Sequence, residues 1–224
     1  MSDTNGAADT LAPTLSWLLP QYVADLRKSG LSDEQITLCG FTSYQTADTV
    51  QKVLRWKRYK GELGPCLVIP FNDVEGKPTG YTRLKPDKPR KSKEDGKPIK
   101  YESPKGSTNA PYLPPWTRTV LQDVAVSLTI VEGEKKAAKA DQERIPCIGL
   151  VGVWGWQKKR PKGQDGQPQG ERELIAGLAG IPWKGRVVYI TFDSDAVRNL
   201  QVRKAEWALA EVLARCAWPT RRCC

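Results

Sequence analysis

The spacing of apolar residues along the first part of the chain is helical. From Leu15 to Lys28 the leucines and Val23 recur on or near one helix face. Ser32, followed three residues later by Gln35, forms a capping-box pattern that predicts the start of a second helix. A third helix is predicted from about Gln45 to Trp56. These patterns predict a small helical lobe.

The pattern becomes strand-like after residue 64. Pro65–Phe71 is a short apolar run, and Tyr81–Leu84 has the composition of a returning strand. Asn, Asp and Gly residues between the two runs supply turn chemistry. Residues 85–100 contain almost nothing apolar, which predicts a solvated loop. We therefore expect a short antiparallel β segment that carries a basic loop.

Strands and helices alternate in the last part of the chain. Three apolar runs predict buried strands, at Val126–Val131, Ile145–Val153 and Arg186–Phe192. Alternation of this kind implies a parallel sheet whose strands are covered on both faces. The predicted helices lie at Glu134–Glu143, Glu171–Leu178 and, with an amphipathic pattern, at about Val197–Arg215.

The predicted fold class is α/β, a parallel sheet flanked by helices, preceded by the helical lobe and the β segment. The tail contains three of the six cysteines and does not read as a strand. We expect a truncated or frameshifted end that leaves the α/β domain incomplete. The predicted division is a disordered leader (1–13), the helical lobe (14–62), the β segment (63–119), the α/β domain (120–215) and an atypical tail (216–224).

Charge and composition narrow the classes of function. Lys and Arg outnumber Asp and Glu by 35 to 25, and a net charge of +10 favours a polyanionic partner such as nucleic acid. The chain has no His and no CxxC pair, which excludes Cys/His zinc modules and His-dependent triads. There is no apolar run of about 18 residues and no signal-peptide pattern, so we expect a cytoplasmic protein without a membrane partner.

Basic residues concentrate in two segments that could contact phosphates. Residues 83–105 contain nine basic residues against four acidic ones, and a second basic loop lies at 158–162. A backbone-tracking role with Tyr101 stacking on a base is one interpretation, and a solubilising loop is the other. Two lysines of the helix after Glu132 could contact phosphate or form a solvated face. The candidate nucleic-acid-binding residues are Arg83, Lys85, Arg90, Lys100, Tyr101, Lys135, Lys136, Lys158, Lys159 and Arg160.

Three acidic residues follow predicted strands. Glu132 follows the first strand, and Asp193 and Asp195 follow the third. Ligands of open parallel sheets bind beyond the carboxyl ends of the strands, and residues i and i+2 can face one pocket. Converging carboxylates repel one another unless a hard cation neutralises them, so the predicted cofactor is Mg²⁺ or Mn²⁺, with no zinc.

VEGEKKA (131–137) and YITFDSDA (189–196) resemble the TOPRIM domain of bacterial primases, topoisomerases and certain nucleases. The resemblance implies that Glu132 acts in general acid/base chemistry and that Asp193 and Asp195 bind the metal.

The upstream part of the chain resembles the primase segment that precedes TOPRIM, in VIPFNDVEGKPTGYTRLKP (68–86) and KYESPKG (100–106). Three further segments resemble an uncharacterised domain family of phages, plasmids and integrative elements: SGLSDEQITLCGFTSY (29–44), GVWGW (152–156) and FDSDAVRNLQV (192–202). Domains of this family often form the front part of primase-helicase or other replication proteins.

Three functions are open from the sequence. The first is a primase-like nucleotidyltransferase core, or a remnant of one, with single-stranded DNA and nucleoside triphosphates as partners. The second is a metal-dependent nuclease that uses the same acids. The third is a non-catalytic module that binds single strands and recruits a replicative helicase. No GxxxxGK[ST] motif is present, so the chain has no helicase motor of its own.

Overall fold

The computed structural model describes residues 15–58, 63–192 and 199–217 and contains two three-stranded sheets. The predicted leader, most of the predicted tail and the segment 193–198 lie outside these ranges. The helices are α1 (Pro20–Lys28), α2 (Asp33–Leu38), α3 (Ala47–Leu54), α4 (Pro115–Val120), α5 (Glu134–Gln142), α6 (Ala176–Ala179) and α7 (Leu200–Ala217). The strands are β1 (Thr42–Tyr44), β2 (Cys66–Asn72), β3 (Pro78–Pro86), β4 (Leu128–Glu132), β5 (Cys147–Leu150) and β6 (Val188–Thr191).

The first helix begins later than its apolar pattern predicts. Proline occupies the first turn, at Pro20, and the preceding Leu19 is extended, with φ −65° and ψ 143°. A residue before proline is disfavoured in the helical region, so the helix cannot extend back through Leu19. Leu15 and Leu18 are nevertheless buried, in the turn that precedes α1.

The predicted start of α2 is confirmed, but its capping box is only half formed. The Ser32 hydroxyl accepts a hydrogen bond from the Gln35 backbone N–H at 3.1 Å. The Ser32 N–H donates instead to Gln142 of α5, at 2.8 Å. The Gln35 amide also reaches α5, where it donates to the Asp141 carboxylate at 2.9 Å. Polar side chains therefore connect α2 to the α/β part of the chain.

Buried Asp141 also caps α4, a helix that the sequence pattern did not predict. Its carboxylate accepts hydrogen bonds from the Trp116 N–H at 3.3 Å and from the Thr117 N–H at 2.6 Å. These are two of the N–H groups that a helix start leaves without an intrahelical partner. The Thr117 hydroxyl accepts from the Cys147 N–H, so Thr117 connects α4 to β5.

The first sheet is antiparallel, in the order β1-β2-β3. The predicted β2–β3 hairpin is confirmed, and β3 is longer than predicted. Strand β1 was not predicted, because it lies in the part expected to be helical and is only three residues long. Its pairing with β2 makes the first sheet continuous with the helical lobe.

The second sheet is parallel, in the order β5-β4-β6, as predicted. Strand β4 is central, and α5 packs against β4 and β5. The expectation that helices cover both faces of every strand is wrong for β6. Tyr189 is 57% exposed, whereas Val188 and Ile190 pack against the cluster that contains α7.

The predicted helix at Glu171–Leu178 is also wrong over its first half, since only Ala176–Ala179 is helical. Residues 173–175 pair with the segment that follows β5. The Lys158 N–H donates to the Glu173 carbonyl, and the Ile175 N–H donates to the Trp156 carbonyl, both at 2.9 Å. These bonds hold the backbone extended, so a helix cannot form there.

Among the described residues, buried side chains form three clusters, and one of them is shared by the predicted lobe, the β segment and the α/β domain. It joins Leu26 and Ile36 of the lobe, Phe71 of β2, and Val131 and Ala137 of the α/β part. The domain boundaries stay a prediction, but the parts share a hydrophobic core. Within the described ranges, no helix combines the length and apolar character needed to cross a bilayer.

Candidate active site and adjoining basic cavity

Glu132 is the last residue of the central strand, at the carboxyl edge of the parallel sheet. It pairs with Leu150 of β5, and its neighbour Val131 pairs with Thr191 of β6. The side chain is half-buried, and no other described residue forms a hydrogen bond or ion pair with its carboxylate. Asp193 and Asp195 lie outside the described residues. In the chain, Asp193 comes two residues after Thr191.

Two glycines allow the connection between β4 and α5 to approach β5 closely at this edge of the sheet. Gly133 has φ +97° and turns the chain from β4 into α5. Gly149 of β5 has no room for a side chain, because a Cβ there would lie 3.0 Å from the Gly133 carbonyl oxygen and 3.2 Å from Ala137 Cβ. The short Glu132-Gly133 connection can therefore pack directly on β5.

Glu134, the first residue of α5, is in a buried ion pair. Arg83 of β3 donates to its carboxylate at 2.6 Å, and the side chains are 14% and 2% exposed, respectively. The Arg83 guanidinium also lies 4.4 Å from the ring centre of Tyr101. Burial raises the pKa of Tyr101 to about 12, so this phenol stays protonated at neutral pH. Arg83 and Tyr101, both candidate nucleic-acid contacts, therefore connect the β2–β3 hairpin to the start of α5.

Two further candidate contacts share one carboxylate oxygen. Lys85 and Lys135 donate to Asp25 of α1, at 2.8 and 3.1 Å. Burial favours the protonated acid, but the hydrogen bonds from Lys85 and Lys135 outweigh it and hold the pKa of Asp25 below its ordinary value. Lys136, the next residue, is exposed.

The rest of the first basic segment is divided between paired and exposed residues. Arg90 donates to both oxygens of the buried Glu102, at 2.6 and 3.0 Å, and lies 5.5 Å from the ring centre of Trp56. Lys100 is exposed. Arg83, Lys85 and Arg90 thus pair with acidic residues of this chain, and whether they also contact nucleic acid stays a prediction.

The second basic loop lines a cavity of about 1080 Å³. A backbone bridge pairs Tyr112 antiparallel to Gly149, so residues 107–111 extend past the carboxyl end of β5 and form one wall. The β2–β3 turn contributes a second wall. The loop contributes Lys158, Lys159, Arg160 and Lys162, while Glu132 and the two lysines that follow it are not among the lining residues.

Residues 156–175 form an arm that holds this basic loop beside the cavity. Bridges join Gln157 to Leu174 and Lys162 to Pro168, so the arm is folded back on itself. Lys158 pairs with Glu173 at 2.7 Å, and Arg160 donates to the Gly170 carbonyl at 3.3 Å. The part of the arm that carries the lysines is thereby held against the returning part.

The two tryptophans of the GVWGW motif have different environments. Trp156 is fully buried in the core, as expected for a packing residue. Trp154 is half-buried and lines the cavity, with the Arg172 guanidinium 5.5 Å from its ring centre. Gly155 between them has no space for a Cβ, which would lie 2.4 Å from the Val151 carbonyl oxygen.

Three features were not found by sequence reasoning: the role of Asp25, the pairing of Glu134, and the cavity. Asp25 is 60 residues from Lys85, and Glu134 is 51 residues from Arg83. No local pattern marks such pairs. One feature of the sequence pointed to the cavity: four basic residues at 158–162 come soon after the Trp154–Trp156 turn.

In the described ranges, no three acidic, Cys or His side chains are close enough to hold a metal ion. The Glu132 carboxylate supplies the hard oxygen donor that Mg²⁺ or Mn²⁺ prefers. Its proposed co-ligands Asp193 and Asp195 are acidic as well, so the donor chemistry fits the predicted ion.

A family model of unknown function matches part of the chain, at its α/β end. The model of this family, a domain of unknown function (DUF3854), matches residues 116–223. An uncharacterized protein of Picosynechococcus sp. is 28% identical over 144 residues, which cover 54% of this chain and 14% of that protein.

Among solved structures, the fold is similar to that of a bacterial primase. The zinc-binding and RNA polymerase domains of Aquifex aeolicus primase align with 89% of this chain and 48% of theirs, at a TM-score of 0.54 and 16% identity. The RNA polymerase domain of the Mycobacterium tuberculosis primase in complex with DNA aligns at a TM-score of 0.43 and 14% identity, over 88% of this chain and 73% of that chain. The chain therefore has a mixed α/β fold like that of the Aquifex primase fragment and spans about half of its length.

Proposed function

We propose that this chain is a primase-like, divalent-metal-dependent nucleotidyltransferase core, or a remnant of one, that acts on single-stranded DNA in the replication of a phage, plasmid or integrative element. One observation carries the proposal. β4 and β6 are adjacent and parallel, with Val131 opposite Thr191, so that Glu132 and the chain leading into Asp193 leave the sheet at the same edge. Acidic residues brought to the carboxyl edge of a parallel sheet are well placed for ligand chemistry.

The residues of the chain have separate roles in this proposal. Asp193, Asp195 and Glu132 hold the ion, which when bound neutralises charge on the triphosphate of an incoming nucleotide. The half-buried Glu132 carboxylate, which pairs with no described residue, is the candidate general base for the attacking 3′-hydroxyl. Lys136, Lys100 and the exposed lysines of the arm supply phosphate contacts, and the ion pair between Arg83 and Glu134 positions the start of α5.

The test is primer synthesis on single-stranded DNA with labelled nucleoside triphosphates and Mg²⁺ or Mn²⁺. We expect extended products from the natural chain and none from Glu132→Gln or Asp193→Asn. Glu211→Gln, on the exposed side of α7, is the matched control and should keep full activity. Strand cleavage in place of synthesis would indicate a nuclease. Binding with neither activity would indicate a strand-binding module that recruits a helicase.

A further inference from the structure

We propose that the cavity beside β5 binds a short stretch of single-stranded nucleic acid and distinguishes its bases, separately from any chemistry at Glu132. The inference rests on the proposed function for the class of partner. It adds base selectivity on the opposite side of β4 from β6, where the arm lysines that the proposed function assigns to phosphate contacts lie beside Trp154, Asn109 and Gln157.

The size of the cavity suits a strand better than a single nucleotide. Its volume of about 1080 Å³ lies at the upper limit for small-molecule sites, which occupy about 300–1,000 Å³. The cavity lies between the β2–β3 turn, residues 107–111, the arm and the α6 region, so that separate segments of the chain surround an occupant. A single nucleotide would leave much of this space to solvent.

One side of the cavity is cationic. Lys159, Arg160 and Lys162 of the arm line it together with Lys158, which is paired with Glu173. The acidic lining residue is Asp73, whose Oδ1 accepts hydrogen bonds from two backbone N–H groups of the β2–β3 turn. The surplus of positive charge therefore belongs to the arm and suits a chain of phosphates.

The other lining groups suit bases. Trp154, Pro111 and Ile175 offer apolar surface, and the side chains of Asn72, Asn109 and Gln157 carry amides. A side-chain amide offers a donor and an acceptor together, the combination that base edges present. An aromatic ring such as Trp154 gives a stacking surface that tolerates any base.

Gln157 supplies the evidence that points to a ligand. Its amide oxygen is buried, and no described residue gives it a hydrogen bond. A buried acceptor without a partner is unfavourable, because it has lost its hydrogen bonds to water. When the Gln157 side chain turns this oxygen toward the cavity, an exocyclic amino group of a base supplies the missing donor, whereas a phosphate does not. This distinguishes a base-reading site from a purely electrostatic one.

The test compares strands that have the same charge and differ in their bases. Binding is measured by fluorescence anisotropy for four homopolymers and for an abasic strand of equal length, all with one label. We expect the natural chain to bind the base-containing strands about tenfold or more tighter than the abasic strand, as stacking on an aromatic ring implies. The four homopolymers should also differ from one another.

Each wall has its own variant. Asn109→Ala combined with Gln157→Ala should bring the four homopolymers closer together in affinity, and the exposed Asn109→Ala alone should do so in part. Trp154→Ala should weaken every base-containing strand but not the abasic one, and Trp154→Phe should restore binding. Replacing Lys159, Arg160 and Lys162 with Ala should weaken all five strands by the same factor. A matched triple variant at exposed lysines elsewhere, Lys52, Lys184 and Lys204, should change binding much less.

The proposal is overturned if the abasic strand binds as tightly as the others. It is equally overturned if folded Asn109→Ala and Trp154→Ala proteins keep the full preference for bases. Failure of the proposed function would look different, since a protein without primer synthesis can still show base-dependent binding. Primer synthesis with base-independent binding would overturn the cavity proposal alone.

Discussion

At the residue scale, two glutamates separated by one glycine have opposite environments. Glu134 is buried and paired with Arg83, whereas the half-buried Glu132 has no partner among the described residues. A buried carboxylate that is paired with a cation contributes to the stability of the fold, because removing one partner leaves the other charge buried and unpaired. A carboxylate at the edge of the sheet is available to a ligand.

We therefore expect Glu134→Gln to be destabilising, because it leaves the Arg83 charge unpaired. The free energy of unfolding should fall by about 2 kcal/mol, less than the 3–5 kcal/mol of a fully buried pair, because Arg83 keeps contact with water. Urea unfolding measures the change. Adding Arg83→Met should recover part of the loss, since it removes the unpaired charge. A double variant less stable than Glu134→Gln alone would contradict this account.

The second residue-scale prediction concerns the pH dependence at Asp25. Its folded-state pKa is lowered, so the pairs with Lys85 and Lys135 stabilise the fold above the ordinary carboxyl pKa and lose their effect as the pH falls through the folded value. Asp25→Asn should lower the free energy of unfolding at pH 7 by less than about 1 kcal/mol, because the groups are partly exposed. Thermal melting should show this deficit disappear in acid. A deficit that is equal at pH 7 and pH 3 would show that packing, not charge, is responsible.

At the element scale, the contact between α5 and β5 depends on Gly149. An added methyl group would meet the Gly133 carbonyl, Ala137 Cβ and Tyr112 Cβ, none of which is the flexible end of a side chain. Gly149→Ala should therefore destabilise by about 1–3 kcal/mol, as overpacking does. Gly180→Ala is the control. Its Cβ would meet nothing closer than 3.8 Å at an ordinary negative φ, and the change should be neutral or slightly stabilising in the same melting experiment.

Elements with a strong local signal could be predicted, and those set by distant partners could not. The apolar runs predicted β2, β4 and β5, whose residues are mostly buried, and also β6, although one face of β6 is exposed. The helix expected at Glu171–Leu178 fails because backbone bonds to residues 156–158 hold its first half extended. Strand β1 has no such local signal and pairs along all three of its residues with β2.

The candidate site shows the same division. Glu132 could be placed at a strand end from the sequence, and the strand order confirms the common edge with β6. The pairing of Arg83 with Glu134 could not be found, because it joins residues 51 positions apart. Some of the basic residues that the sequence suggested as nucleic-acid contacts therefore pair with acidic residues of this chain.

At the scale of the whole molecule, the proposed metal site should affect stability. Three carboxylates held together raise one another's proton affinity, and a bound cation relieves the repulsion and favours the folded state. Mg²⁺ or Mn²⁺ at millimolar concentration should raise the thermal midpoint by several degrees, roughly the effect of 1–2 kcal/mol. Asp193→Asn should abolish most of the rise, and Glu211→Gln should not.

The metal-free variant separates two interpretations of Asp193. A ligand carboxylate repels its neighbours, so Asp193→Asn without metal should be no less stable than the natural chain. A structural cap would instead be lost, and the metal-free variant would melt earlier. If neither ion moves the midpoint of the natural chain, the catalytic proposals fail and the binding module becomes the better description.

The positive charge of the whole molecule predicts how the binding of single-stranded DNA depends on salt. If the basic segments contact phosphates, the logarithm of the binding constant for single-stranded DNA should fall linearly with the logarithm of salt concentration, with a slope of roughly 0.7 per contact. Replacing Lys158, Lys159 and Arg160 with Ala should flatten the slope, as a titration of anisotropy against salt would show. Binding that is absent at low salt, or is indifferent to salt, would favour a solubilising loop.

The junction of α2 with α5 has a consequence for the order of folding. Gln35 and Asp141 are 106 residues apart in the chain, yet they meet as buried hydrogen-bond partners. The entropy of closing the intervening loop must be paid before such a contact contributes, so we expect this contact to form late in folding. On the ribosome, α2 must wait until α5 has emerged before its buried amide finds the carboxylate. Gln35→Ala should therefore accelerate unfolding far more than it slows refolding.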